Sequence, residues 1–221
     1  GGPYEGSRGP VACEPPDVWL LSDDTQLTLA TCEAIATNRR VDPQDVADRF
    51  LVWFRGGRIT GIGGSTFKAL RDLDMGAHWA LSGAEGERAA GNGAAMRVAP
   101  LAFVLNPENG PDRTTIRDMC RITHRNDEAY IGALAIVVAI RQVAIAGEKL
   151  GASLPSVIAA KLPDSRVRDR LRDLADTCTS DRLTECAQRY GASGYAVDSV
   201  PLAIMAASGL ASTGVTRAIQ S

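Results

Sequence analysis

Apolar residues recur three to four positions apart along most of the chain, which is the repeat of an amphipathic helix. Sustained period-two alternation, the mark of a half-buried strand, is almost absent. From Ser22 the spacing of Leu27, Ala30, Ala34 and Ile35 predicts a helix, with Ser22 placed to cap it and Asp23 and Asp24 in its first turn. A second start signal stands at Asp42-Pro43, ahead of Val46, Phe50 and Phe54. Further helices are predicted over 66–73, 93–104, 113–122, 127–146, 154–160, 166–175, 182–190 and 195–207. The longest apolar run, 131–140 (IGALAIVVAI), is too short to cross a bilayer and is followed at once by Arg141 and Gln142, so it reads as a buried core helix. Residues 1–19 are rich in Gly and Pro and read as a loop. No internal repeat, charge block or low-complexity run marks a linker, so the pattern predicts an all-α fold, a single compact bundle over 1–221.

Composition narrows the partners. Of the 221 residues 45% are hydrophobic and 23% charged, the balance of an ordinary globular protein. A formal net charge of -2 offers no basic field for a nucleic-acid backbone, so neither nucleic acid nor membrane is an expected partner. The opening GGPYEGSRGP has no basic and apolar segments of an export signal. Five cysteines, Cys13, Cys32, Cys120, Cys178 and Cys186, are an odd number without a Cys-x-x-Cys pair and fit neither a zinc site nor a disulfide framework. A reducing cytoplasm is the expected location.

Three strings carry candidate chemistry. In Ser22-Asp23-Asp24-Thr25 two carboxylates and two hydroxyls crowd a helix start, and such hard oxygens are what Mg²⁺ prefers; the ordinary alternative is a cap with acids answering the helix dipole. The stretch Gly91-Asn92-Gly93-Ala94-Ala95-Met96-Arg97-Val98-Ala99-Pro100 is a glycine-framed loop feeding a predicted helix, an arrangement that turns unpaired N–H groups toward an anion such as a diphosphate. Glycine there tolerates positive φ and adds no bulk. Ile122-Thr123-His124 stands at a break between two helices, just ahead of Asn126, which is placed to cap the long apolar helix. A lone histidine at such a junction is more often structural than catalytic.

Taken together and in this order, these strings resemble the ADP-ribosylglycohydrolase family, which includes enzymes that remove ADP-ribose from modified arginine or serine, a dinitrogenase reductase-activating glycohydrolase and a lens-crystallin relative. Pro3-Tyr4-Glu5-Gly6 looks like the tail of the family's first metal motif. Ser22-Asp23-Asp24-Thr25 looks like its Thr-Asp-Asp-Thr segment, and 91–100 matches its Gly-Asn-Gly-x-x-Met-Arg loop. His124 falls where the family has a Thr-His pair beside the bound ribose or adenine. The helix over 195–207, with Asp198-Ser199-Val200-Pro201-Leu202, resembles the one before the last metal motif. The family's N-terminal Gly-Asp-Ala-Leu-Gly helix and its C-terminal Gly-Gly-Asp-x-Asp-Thr segment have no counterpart here, from which an incomplete metal site is expected.

The resemblance implies an orthogonal helical bundle and a magnesium-dependent hydrolase that cleaves the glycosidic bond at the distal ribose of ADP-ribose. Two Mg²⁺ ions would be held by Glu5, Ser22, Asp23 and Asp24, with Glu5 also orienting or deprotonating the attacking water. Gly91, Asn92, Gly93, Met96 and His124 would bind the ligand, ADP-ribose on a protein side chain or small molecule. Rim loops 56–66 and 74–91 would select what carries it. Two alternatives stay open: a non-catalytic ADP-ribose-binding or structural member of the fold, and a magnesium-dependent phosphohydrolase.

Overall fold

The computed structural model describes residues 21–179 and 182–210. Within them the chain forms ten α-helices: α1 Asp23–Asn38, α2 Pro43–Arg55, α3 Gly64–Asp74, α4 Trp79–Ser82, α5 Gly110–Arg121, α6 Asp127–Ala146, α7 Leu154–Ala159, α8 Arg166–Thr177, α9 Leu183–Tyr190 and α10 Ala196–Ser208. The sheet content among the described residues is one parallel pair of two-residue strands, β1 Ala84–Glu85 and β2 His124–Arg125, with Ala84 opposite His124. The fold is all-α, as the periodicity predicts.

Local chemistry explains several helix starts. Asp42 accepts the Gln44 amide proton at 2.8 Å, with Pro43 at the first helical position of α2. Asn126 Oδ1 accepts from the Glu128 and Ala129 amides at 2.9 and 3.1 Å and so opens α6. Ser165 Oγ accepts from the Arg168 amide at the start of α8. Ser22 departs from expectation: it occupies the cap position of α1 but makes no cap bond, and its hydroxyl donates to Asp24 Oδ2 at 3.0 Å.

The helix expected over 93–104 is not there. Two 3₁₀ turns, Ala95–Arg97 and Ala99–Phe103, take its place. Pro100 has no amide proton to continue an α-helical ladder, and the backbone closes shorter rings instead, Arg97 N to Ala94 O and Leu101 N to Val98 O. A segment of this kind packs against both α1 and α6 without crossing them as a rod would.

α6 forms the middle of the core, with ten buried residues from Ala129 to Ala139. Its apolar stretch is longer than the run 131–140 suggests: among the described residues α6 is the one helix long and apolar enough to cross a membrane by length and composition. Here α5, α7, α8 and α10 enclose it. Gly132 is where α10 comes closest, since a Cβ there would lie 3.2 Å from Ala196 Cβ and 3.3 Å from Val200 Cγ2. Around α6 the main core gathers Leu27, Phe50, Leu70, Leu101, Ile116 and Leu134. A satellite core of Leu174, Leu183, Cys186 and Met205 joins α8, α9 and α10.

The cysteine reading needs correction, because Cys178 and Cys186 form a disulfide across the α8–α9 junction. An odd total hides one bonded pair. The turn between the two helices brings together residues that no short Cys motif links.

Candidate active site

Five stretches far apart in sequence line one cleft of about 640 Å³: Asp23 and Asp24, residues 61–66, the 91–96 loop, His124, and residues 192–199. Asp23, 7% exposed, and the half-buried Asp24 stand in the first turn of α1. There their charge answers the positive end of the helix dipole. Ser22 does not line the cleft and reaches it only through its bond to Asp24. Glu5 lies outside the described residues.

The 91–97 loop is held from three sides. Its outer edge pairs with the strand-like entry to α10, through a Gly91–Tyr195 bridge, Asn92 N to Gly194 O at 2.9 Å and Ala196 N to Ala90 O at 2.8 Å. Asn92 Nδ2 donates to Ser199 Oγ at 3.2 Å. From α1, Thr28 Oγ1 donates to Met96 O at 3.3 Å. Beneath the loop Arg97, 2% exposed, donates through Nη1 to Gly93 O and through Nη2 to Met119 O at 3.2 Å, and its guanidinium carbon lies 5.4 Å from the Phe50 ring centroid. Burial lowers the Arg97 pKa to about 10, so the side chain remains a cation at neutral pH.

His124, 3% exposed, enters the cleft from β2. Its Nδ1 shares a hydrogen bond of 2.8 Å with Thr123 Oγ1. Burial, and then the charge of Arg97, lowers its pKa to about 3, so the ring is neutral throughout the physiological range. Both loop glycines leave room for this ring. A Cβ on Gly93 would lie 2.7 Å from His124 Cε1, and one on Gly91 3.1 Å from Nε2. Neither glycine has positive φ, so the need is space and not backbone freedom.

The anion-binding reading of the 91–97 loop changes with the fold, since no regular helix follows it. Besides the acidic first turn of α1, the N-terminus of α3 opens on the cleft, and its first-turn amides at Gly64, Ser65 and Thr66 have no earlier helical carbonyl to bond. Gln26 holds this rim against α1 by donating to Thr60 Oγ1 and Leu21 O while its Oε1 accepts from Thr60 N at 2.8 Å. Of the two expected rim loops, 61–66 lines the cleft. No described residue from 74 to 90 does, because α4 and β1 turn away to pack on α5 and β2.

Among the described residues lining the cleft the charged side chains are Asp23 and Asp24; no lysine or arginine is present. Anionic groups bound there would meet backbone amides, and a cation would meet carboxylates. The described residues contain no cluster of three His, Cys, Asp or Glu side chains able to hold a metal, yet beside the His124 ring the cleft is lined by hard oxygen donors, two carboxylates and the hydroxyls of Ser65, Thr66, Ser193 and Ser199. That donor chemistry fits Mg²⁺ and not a soft metal.

The ADP-ribosylglycohydrolase family model matches residues 1–220. The chain belongs to the ADP-ribosylglycohydrolase family. Over 119 residues it is 34% identical to an uncharacterized protein of Archaeoglobus fulgidus, covering 54% of this chain and 38% of that one. Over 106 residues it is 27% identical to the ADP-ribosyl-[dinitrogen reductase] glycohydrolase of Rhodospirillum rubrum, covering 48% and 35%. A solved ADP-ribosylglycohydrolase-related protein complex superposes with a TM-score of 0.61 at 27% identity, over 93% of this chain and 64% of that one. The matched segments thus span a little over a third of the two curated relatives and under two thirds of the solved chain. The residues to which sequence reasoning gave no individual role are Arg97, Thr66 and Ser199, which stood inside quoted segments, and Gln26, which it did not single out; all four position or line the cleft. The spacing of Gly93 and Arg97, four apart, was the available signal for the first.

Proposed function

We propose that this protein is a magnesium-dependent hydrolase that releases ADP-ribose from a modified protein side chain or small molecule by cleaving the glycosidic bond at the distal ribose. The observation that carries the reading is the convergence, in a member of this family, of Asp23, Asp24, the 91–96 loop, the α3 N-terminus and His124 on one cleft. The first-turn amides of α3 would receive the diphosphate, whose charge no lysine or arginine among the described lining residues would otherwise meet. Asp23 and Asp24, with Ser22 and Glu5, would hold Mg²⁺. When bound, the ion would polarise the ribose hydroxyls and lower the pKa of a bound water. His124, neutral and fixed by Thr123, would place one ring nitrogen against the sugar as a hydrogen-bonding group that carries no charge. Glu5 is the candidate to orient or deprotonate the attacking water. The anomeric carbon would pass through a state of oxocarbenium character.

Product analysis tests the proposal. An ADP-ribosylated protein incubated with this chain and Mg²⁺ should yield free ADP-ribose, and EDTA should abolish release. Asp23→Asn and Asp24→Asn should each reduce the rate by about 10²-fold or more, since ion-mediated stabilisation amounts to several kcal/mol. AMP as product would point to a phosphohydrolase instead, and binding of ADP-ribose without any product would point to a non-catalytic member.

A further inference from the structure

The Cys178–Cys186 disulfide lies beside a second, smaller cleft, and it is mechanically connected to one wall of the first. Cys178 follows directly on α8 and is half-buried; Cys186, on α9, is 3% exposed and belongs to the satellite core with Leu174, Leu183 and Met205. The smaller cleft, about 190 Å³, is lined by Thr177, Cys178, Arg182, Glu185, Cys186 and Arg189. Both cysteines line it; Arg182 is ion-paired with Glu185 there, and the remaining lining cation, Arg189, favours a small molecule that carries a carboxylate. α9 is only eight residues long and continues without a break into Gly191, at φ +90, and then Ala192, Ser193 and Gly194 of the main cleft wall. Apart from the satellite core, α9 is fixed at its end by Tyr190, whose carbonyl accepts from Arg170 Nη1 at 2.7 Å and whose hydroxyl lies 2.9 Å from Thr177 Oγ1.

We propose that Cys178–Cys186 is a thiol–disulfide exchange site for an anionic low-molecular-weight thiol, and that its reduction loosens α9 and the 191–194 wall of the main cleft. The thiolate of the small molecule attacks Sγ of Cys178, the more exposed of the two residues. The S–S bond breaks and its electron pair leaves with Sγ of Cys186, which takes a proton from water. A second thiolate attacks the mixed disulfide on Cys178, releasing the small molecule's own disulfide and a Cys178 thiolate that is protonated in turn. Two thiols are oxidised and one protein disulfide is reduced. Without the crosslink α9 loses its covalent tie to α8 and is left to noncovalent contacts, and short helices with few buried side chains open locally. The inference holds whatever the main cleft binds, and none of its readouts is turnover.

The test compares the oxidised protein with the same protein treated with glutathione or with dithiothreitol. Dithiothreitol should expose two further alkylatable thiols among the five cysteines. Limiting glutathione should leave its adduct on Cys178 and not on Cys186. In the reduced protein, peptides covering 183–195 should exchange amide hydrogens about tenfold faster, with α5 and α6 unchanged. The double variant Cys178→Ser/Cys186→Ser should match the reduced protein with or without reductant, and should it fail to fold, the reduced wild type carries the same comparison. Cys32→Ser should leave the effect intact. No gain in thiols, an adduct on Cys186, unchanged exchange over 183–195, or equal acceleration throughout the chain would each overturn the proposal.

Discussion

Gly93 and the ring of His124 compete for one small volume, and this makes the loop sequence intolerant at a single atom. Gly93→Ala would place a methyl 2.7 Å from His124 Cε1 and 3.3 Å from Thr66 Oγ1, so either the loop or the ring must shift. The expected cost is about 1–3 kcal/mol, read as a lower urea midpoint at unchanged m-value. Because Arg97 holds the Gly93 carbonyl from below, the shift should also displace the 91–96 backbone from the cleft, seen as perturbed amide resonances there. His124 gives a prediction about pH. Its folded pKa, near 3, lies below the ordinary value of 6.5, so the unfolded chain binds the proton more readily between these limits. The stabilisation is therefore complete above pH 6.5 and is lost as pH falls toward 3, at up to about 1.4 kcal/mol per pH unit. Unfolding curves between pH 7 and 5 should show this slope and His124→Phe should flatten it; a His124 ring that titrates near 6.5 by NMR would contradict it. Sequence alone put His124 and the two aspartates among the candidates because acidic pairs and a junction histidine are recognisable as types. It could not supply the neutrality of the ring, which comes from burial beneath glycines thirty residues away, or the role of Arg97, whose partners are carbonyls and a ring rather than a carboxylate.

The helices were legible wherever an apolar repeat coincided with a cap, as at Asp42-Pro43 and Asn126. The 93–104 segment misled because its apolar spacing satisfies a helical pattern while Pro100 and the loop bonds favour 3₁₀ geometry. Linkages between elements were not legible at all. The Cys178–Cys186 bridge depends on a turn direction, and the Gln26–Thr60 clamp joins positions 34 apart that no periodicity relates. That clamp deserves a measurement, since it fixes the loop leading to α3 and hence the helix end that faces the cleft. Gln26 is 8% exposed and makes three hydrogen bonds through its side chain. Gln26→Ala removes them; Thr60 is exposed, so its amide can turn to water, and the expected loss is about 0.5–1.5 kcal/mol. Hydrogen exchange should quicken over 58–64 and not in α2, and a uniform loss of protection would mean that the clamp serves the core rather than the rim.

At the scale of the whole molecule the cleft belongs to no single element. Its wall is assembled from α1, the start of α3, the 91–97 loop, β2 and the entry to α10, several of which also pack on the core around α6. A ligand seated there contacts segments that come together only in the folded chain, so it should bind the native state and have negligible affinity for the unfolded one. Mass action then fixes the size of the effect: at a concentration one hundred times its Kd, such a ligand raises the unfolding free energy by about 2.7 kcal/mol. For a chain of 221 residues that corresponds to a rise in Tm of about 5–11 °C. ADP-ribose with Mg²⁺, at a concentration set from a Kd measured calorimetrically on the same sample, should produce this shift. Gly93→Ala, by moving the loop and the His124 ring together, should raise the Kd and reduce the shift at equal ligand concentration in the proportion the same relation gives. A calorimetric Kd accompanied by no change in Tm at one hundred times that concentration would mean that ADP-ribose binds a surface that survives unfolding, and the cleft would then not be its site.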